Sequence, residues 1–296
     1  MKCLRKHLWQ FLNLTNLIVT MNKSIIFSKS GYVETRNFET SPLPVWINPH
    51  MTKRKDTIFL VNKHTDTELL FVTDGSMKIH LNNDTFVANS GDVVVINPNV
   101  LHNIMPLTDY VTYHCFIIDK NFFKSHYFPI DQVHIKEVIT DDTLFETCEQ
   151  IIQLSQHQDD LPYSVAKIHN GLLGMVIYLF ENYGGEKPQN ETTKNALHTV
   201  EMGIKYINKN FKKTISLSDI AKHTGYSKFH FCRLFKETTG YTVATYINMQ
   251  RVKYAQQLLE TSELSVCEIA FECGFKSVSY FSTTYKKYTG NSPSIR

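Results

Sequence analysis

Apolar positions along the chain follow two different periods. Between residues 25 and 118 they come in short runs: Thr57–Val61, Leu69–Val72, Met77–Leu81, Val93–Ile96 and Val111–Ile118. Turn-forming residues break these runs at Thr73-Asp74-Gly75, Asn82-Asn83-Asp84, Asn89-Ser90-Gly91-Asp92 and Asn97-Pro98-Asn99. Closely spaced short runs with Gly, Asn, Asp and Pro at the breaks predict an all-β sandwich or barrel. No stretch long enough for a helical crossover separates them, which argues against a parallel α/β sheet.

The period then lengthens. Residues 142–157 (Leu144, Cys148, Ile151, Ile152) and 161–183 (Ile168, Leu172, Met175, Val176, Leu179) repeat at helical spacing. Gly184-Gly185 stops the second helix, and residues 186–194, which include Pro188, read as a polar linker. The second helix is apolar over a broad face, so the β domain, a second subunit or both must cover it.

Residues 195–296 hold an internal repeat. Ser216-Leu217-Ser218-Asp219-Ile220-Ala221, Gly225-Tyr226-Ser227, Phe231, Phe235-Lys236 and Thr239-Gly240 form its first copy. Ser265-Val266-Cys267-Glu268-Ile269-Ala270, Gly274-Phe275, Ser277, Phe281, Tyr285-Lys286 and Thr289-Gly290 form its second, with one extra residue in the turn. In each copy an acidic residue suits the positive end of a short helix. A glycine then supplies a left-handed turn, and a serine caps a second helix. Phe231/Phe235 and Phe281/Tyr285 lie four apart, on one face to be buried. Two short helices joined by a glycine turn predict a helix-turn-helix, whose second helix fits the DNA major groove. Between the copies, Val243–Leu259 reads as one rigid linking helix that sets the separation of the two heads, roughly 34 Å if both enter successive grooves.

Charge sharpens this picture. The 296-residue chain has a net charge of only +3, but residues 195–296 carry 14 Lys+Arg against 7 Asp+Glu, whereas residues 1–194 carry 17 against 21. A basic third attached to an acidic remainder predicts one segment that meets a polyanion and one that does not. The hydrophobic content of 42% suits chains that bury a core and excludes disordered or collagen-like classes. Six cysteines without a C-x-x-C pair read as free thiols rather than as a zinc ribbon or disulfide scaffold. Residues 1–24 form an uncertain extension: Lys2, Arg5 and Lys6 precede an apolar stretch, Leu8–Val19, that polar residues interrupt and that is too short for a membrane span. Met21 is an alternative start.

Four stretches resemble the AraC/XylS family of bacterial transcription regulators: Ile215–Ala221, Gly225–Gly240 with its Ser227–Lys236 core, Arg251–Leu259 and Ile269–Pro293. The resemblance implies an α+β multidomain chain with a cupin-like all-β barrel plus helices followed by an all-α domain of two helix-turn-helix motifs joined by a linker helix. Its segments are a cupin-like effector domain at 25–140, a helical dimerisation or relay segment at 141–185, the linker at 186–194 and the DNA-binding domain at 195–296. The family pattern places base readers at Phe229, Cys232 and Arg233, and at Ser279, Ser282 and Thr283 in the second head. Ser227, Lys228, His230, Lys236, Ser277, Tyr280 and Lys286 complete the expected DNA contacts. The family often carries a basic residue where Thr283 stands, so the first head is expected to supply most base discrimination.

The same resemblance implies a cytoplasmic, non-enzymatic, homodimeric regulator. Its expected partners are double-stranded DNA, RNA polymerase and a small-molecule effector, a carbohydrate for example, with no membrane and no cofactor. Glu68–Val72, Gly75, Gly91-Asp92, Pro98 and His102 carry the likeness to a cupin-type effector domain. Trp46, His64, Glu68 and His102 are its candidate effector contacts. Catalytic cupins gather two histidines from an H-x-H step, a carboxylate and a later histidine. Here the step reads His64-Thr65-Asp66-Thr67-Glu68 with His102 downstream, a set chemically suited to iron or manganese. The missing second histidine and the short carboxylate spacing favour a metal-free pocket or a filled structural barrel. The alternatives are an effector-independent dimeric regulator and a metal-dependent enzyme fused to a DNA-binding module.

Overall fold

Strand β3 (Val45–Arg54) opens the larger sheet of the N-terminal half in the computed structural model, which describes residues 25–27, 34–36, 38, 43–55, 60–156, 163–187 and 191–294. The remaining strands are β1 (Ile25–Phe27), β2 (Glu34–Arg36), β4 (Thr67–Asp74), β5 (Ser76–Leu81), β6 (Asp84–Asn89), β7 (Asp92–Ile96), β8 (His102–Pro106), β9 (Tyr110–Ile118), β10 (Val133–Ile135), β11 (Val138–Thr140) and β12 (Gly184–Glu186). A five-stranded antiparallel sheet runs β11-β7-β4-β9-β3, and a three-stranded one runs β6-β5-β8. The expected extension at 1–24 lies outside the described residues.

Side chains alternate across the larger sheet. Leu69, Phe71, Val93, Val95, Phe116 and Ile118 point to one face, and Leu70, Val72, Val94, Ile96, Cys115 and Ile117 to the other. The second set meets Met77, Ile79, Leu81 and Ile104 from the smaller sheet, so the space between the sheets is filled by apolar side chains. Helices α1 (Lys120–Ser125), α2 (Asp142–Gln156) and α3 (Ser164–Tyr183) cover the first set. Burial on both faces explains why β4 and β7 read as unbroken apolar runs. On α3, Ile168, Leu172, Met175, Val176 and Leu179 are buried against this domain, each contributing on the order of 1.5–3 kcal/mol relative to exposure.

The C-terminal half is helical: α4 (Glu191–Asn210), α5 (Leu217–Thr224), α6 (Lys228–Thr239), α7 (Val243–Thr261), α8 (Val266–Glu272) and α9 (Val278–Thr289). Two apolar clusters organise it. Val200, Ile204, Ile207, Ile220, Phe231, Phe235 and Tyr246 form one, and Val252, Ala255, Ile269, Ala270, Phe275, Phe281 and Tyr285 the other. Helix α7 contributes to both and is the shared spine. Among the described residues, no helix is long and apolar enough to cross a membrane.

The structure departs from the sequence expectations at three places. In the run Thr57–Val61, residues 57–59 lie outside the described residues, while Leu60 and Val61 are in no strand and pack instead into the first helical cluster. Strands β3, β6 and β8 escaped the apolar-run reading. Asn48-Pro49-His50 interrupt β3 at a register shift, and β6 is a mostly exposed edge strand. Finally, the polar stretch 186–194 is a linker only in part, because β12 pairs with β10 through Glu186 and α4 starts at Glu191.

Candidate nucleic-acid interface

Each helix pair is built by the same local chemistry. Ser216 and Ser265 cap α5 and α8 in reciprocal capping boxes, with Asp219 and Glu268 returning hydrogen bonds to the cap residues. The serine hydroxyls beside them hold both carboxyls below their usual range. Gly225 closes α5 at φ 75°. In the second head α8 ends at Cys273 in right-handed geometry, Gly274 follows at φ 86°, and the extra residue falls between that glycine and Ser277. A Cβ on Gly274 would sit 2.6 Å from the Lys212 carbonyl oxygen, so a side chain is excluded both by the backbone angle and by the loop after α4.

The second helix of each pair starts at a serine cap. Ser227 accepts from the His230 amide and Ser277 from the Tyr280 amide, both at 3.3 Å. Phe231, Phe235, Phe281 and Tyr285 are buried, as the repeat predicts. The opposite faces are open: Lys228, Phe229, Arg233 and Lys236 on α6, and Ser279, Tyr280, Thr283 and Lys286 on α9, are exposed. Cys232 and Ser282 are half-buried on the same faces. Phe229 is 83% exposed, an unusual position for a phenyl ring with no partner surface. His230 stacks on Tyr226 at 4.9 Å between ring centres.

Not every expected contact residue is equally available. Thr283 donates its hydroxyl to the Ser279 carbonyl at 3.0 Å, and the Tyr280 hydroxyl accepts from Asn248 on α7 at 2.9 Å. Arg251 points inward, its Nε donating to the Phe211 carbonyl at 2.8 Å and its Nη2 to that of Lys213 at 3.0 Å. This arginine fixes the spine to the loop before α5 and is no DNA-contact candidate.

The expected effector contacts fall into two groups. His64, Glu68 and His102 come together, all buried, with Glu68 Oε2 2.9 Å from His64 Nε2 and 3.4 Å from His102 Nε2. Trp46 does not join them. It pairs with Ile117 on β9, which pairs in turn with Glu68 on β4, so Trp46 lies two strand spacings away, about 10 Å, on the same face. Asp66, the other carboxylate of the sequence set, is turned away: its Oδ1 accepts from the Lys120 amide at 3.2 Å.

A feature that sequence reasoning missed joins the two halves. Asn103 Nδ2 donates to the Thr239 carbonyl at 3.0 Å, and Thr238 donates its hydroxyl to Asn83 Oδ1 at 2.8 Å. Lys63 pairs with Glu201 at 2.5 Å. A Cβ on Gly240 would collide with His80 and Met105. The end of the first reading helix is therefore seated on β5 and β8. Nothing in the local pattern marks Asn83 or Asn103 for this role, since Asn83 reads as an ordinary turn residue and Asn103 lies in β8, which carries no apolar-run signal.

Residues 220–295 match the family model of a helix-turn-helix domain, and residues 56–160 that of an AraC-like ligand binding domain. Over 90 residues, 30% of this chain and 67% of the other, the chain is 38% identical to the HTH-type transcriptional activator AarP of Providencia stuartii. The chain belongs to the AraC family of transcription regulators. An uncharacterized HTH-type transcriptional regulator of Staphylococcus aureus (strain MRSA252) is 24% identical over 229 residues, 75% of this chain but 30% of that protein, so the chain spans under a third of that relative's length. The solved structure of ToxT from Vibrio cholerae is 17% identical, with a TM-score of 0.43 over 85% of this chain and 97% of its own. As an AraC-family chain, this one combines a ligand-binding domain with a DNA-binding domain.

Proposed function

We propose that this regulator reads two successive major grooves with α6 and α9, under the control of a small molecule held in the N-terminal domain. The observation that carries the DNA reading is Phe229: a large apolar side chain stands exposed in the first turn of a helix whose far face is fully buried. Phe229, Cys232 and Arg233 are the base readers of the first head. Arg233 suits a guanine edge through two hydrogen bonds, and Phe229 suits a thymine methyl. Lys228, Lys236 and Lys286, with the hydroxyls of Ser227 and Ser277, meet phosphates. Ser279, Ser282 and Thr283 give the second head a weaker readout, since Thr283 already spends its proton on the helix backbone.

Effector control runs through the seat of α6 on β5 and β8. A ligand that binds the seated and released arrangements with different affinity shifts the balance between them. Trp46, His64, Glu68 and His102 are the residues offered to that ligand, with carbohydrates the first class to screen. The protein acts in the cytoplasm as a homodimer that contacts RNA polymerase, and it catalyses no reaction.

Selection of full-length protein against a randomised duplex library, followed by hydroxyl-radical footprinting, tests the DNA reading. Two protected patches about one helical turn apart are expected; failure to enrich any sequence defeats it. A thermal-shift screen with sugars and small metabolites tests the control, because a ligand of the folded state raises stability by mass action.

A further inference from the structure

We infer that the first head selects neighbouring thymines by their methyl groups, in an apolar depression where Leu217 of α5 and Ile247 of α7 join Phe229. The inference rests on the DNA reading above and names the class of operator that this head takes, a thymine-bearing half-site.

Helix α6 does not present a flat face to a partner. Beside it lies a depression of about 500 Å3, walled by the start of α5, the outward side of α6 and the first turns of α7. Leu217, Phe229, Cys232 and Ile247 give it an apolar lining, and Arg233 and Lys236 bring positive charge to the same wall. Thr242 also lines it, but its hydroxyl is committed to Thr245, donating to that hydroxyl at 2.9 Å and accepting from that amide at 3.1 Å. Leu217 stands one turn ahead of the buried Ile220 and Ala221, so it carries the apolar face of α5 out to the surface. All of these residues belong to the helical half, so the seat of α6 on β5 and β8 leaves the depression open.

Exposure and charge together define what can enter. Phe229 is 83% and Leu217 42% exposed, and two large apolar side chains around one depression stay wet unless an apolar group displaces the water. Arg233 and Lys236 draw in negative charge. The occupant must therefore hold apolar groups close to anions. Duplex DNA meets both conditions where thymine methyls project into the major groove between the phosphate backbones. The other bases offer mainly hydrogen-bonding groups there, and this lining can pair those only through Arg233 or Lys236. The depression is larger than a single methyl requires, so adjacent thymines can share it.

The second head differs in kind. The repeat sets Ser279, Ser282 and Thr283 where the first head has Phe229, Cys232 and Arg233, and short hydroxyl side chains favour water-bridged contacts over methyl burial. The two heads thus divide the operator into a methyl-read half and a hydroxyl-read half.

Operators selected by the full-length protein are remade with deoxyuridine in place of each thymine in turn, which removes the methyl and keeps the base pair. In the half bound by the first head, each sensitive replacement should weaken binding about three- to fivefold, the worth of one buried methyl group. Leu217→Ala and Ile247→Ala are then measured on the thymine and deoxyuridine duplexes. Each should bring the ratio of the two affinities toward one while binding the deoxyuridine duplex nearly as the wild type does. A variant that only disturbs the fold lowers both affinities together and keeps the ratio. Thr283→Ala, in the second head, should keep the ratio at these positions. Ratios near one at every thymine overturn the inference, the result expected if the depression receives an acidic protein segment, and the DNA reading then stands because a sequence was still selected. A ratio that survives both Leu217→Ala and Ile247→Ala overturns it as well. If no sequence is selected at all, the DNA reading and the inference fall together.

Discussion

Asn103 donates its side-chain amide to the backbone carbonyl of Thr239 at 3.0 Å, across the boundary between the β-rich and helical halves. Asn103 follows His102 in the chain, and Thr239 ends the first reading helix. The buried His64/Glu68/His102 cluster thus lies one residue along β8 from a contact with the end of α6.

Asn103→Ala is expected to weaken this seat by about 1–3 kcal/mol, the cost of leaving a buried carbonyl without its donor. Native-state hydrogen exchange should show the amides of Phe235 to Gly240 exchanging faster while those of β4 and β9 stay protected. Unchanged protection at the end of α6 would remove the seat from the mechanism.

Arg233→Ala is expected to cost roughly 1–3 kcal/mol of specific binding and to relax one operator position. Thr283→Ala should cost less, because its hydroxyl is engaged by Ser279. Binding-site selection with both variants ranks the two heads, and equal losses would contradict the assignment of most discrimination to the first.

Gly274→Ala combines a positive φ with a close approach of the Lys212 carbonyl, so a loss of about 1–3 kcal/mol or more is expected. Urea denaturation measures it. Contacts to the second half of the operator should weaken more than those to the first.

The seat should respond to acid. Burial, and secondarily Lys78, hold the His80 imidazole below its ordinary value of 6.5. Its other neighbours, the Thr85 hydroxyl at 3.0 Å, Met105 and Gly240, are uncharged. Release of α6 re-exposes the ring and lets it take up a proton more readily. The released state thus binds more protons, so seating is fully favoured above 6.5 and weakens as pH falls from there toward the depressed value. Hydrogen exchange of the α6 end, compared at about pH 7.5 and pH 5.5 after correction for intrinsic rates, should show this loss. His80→Gln should abolish the difference.

Much of the helical half was legible because its chemistry is local. Capping serines, the acidic residue three positions on, the turn glycines and the phenylalanine pairs all act within one or two helical turns, and each stands where the repeat placed it. The β-rich half was legible only in its buried strands. Apolar runs announced β4, β5, β7 and β9, whereas β3 with its polar interruption and β6 at an exposed edge carry no such signal. Leu60 and Val61 looked like strand residues because burial against a neighbouring helical cluster selects the same side chains as burial in a sheet.

From its linear order alone, this chain declares an AraC-family double helix-turn-helix, the outward residues of its two reading helices and a β-rich domain ahead of them. Those properties follow from periodicity and from hydrogen bonds spanning a few residues. Tertiary structure alone decides that His64, Glu68 and His102 share one small space while Asp66 turns away and Trp46 stays two strands distant. It alone decides that Asn83 and Asn103 hold the end of α6. Both outcomes depend on strand register and on the meeting of surfaces about 140 residues apart in the chain, as with Asn103 and Thr239. No local pattern encodes such distances.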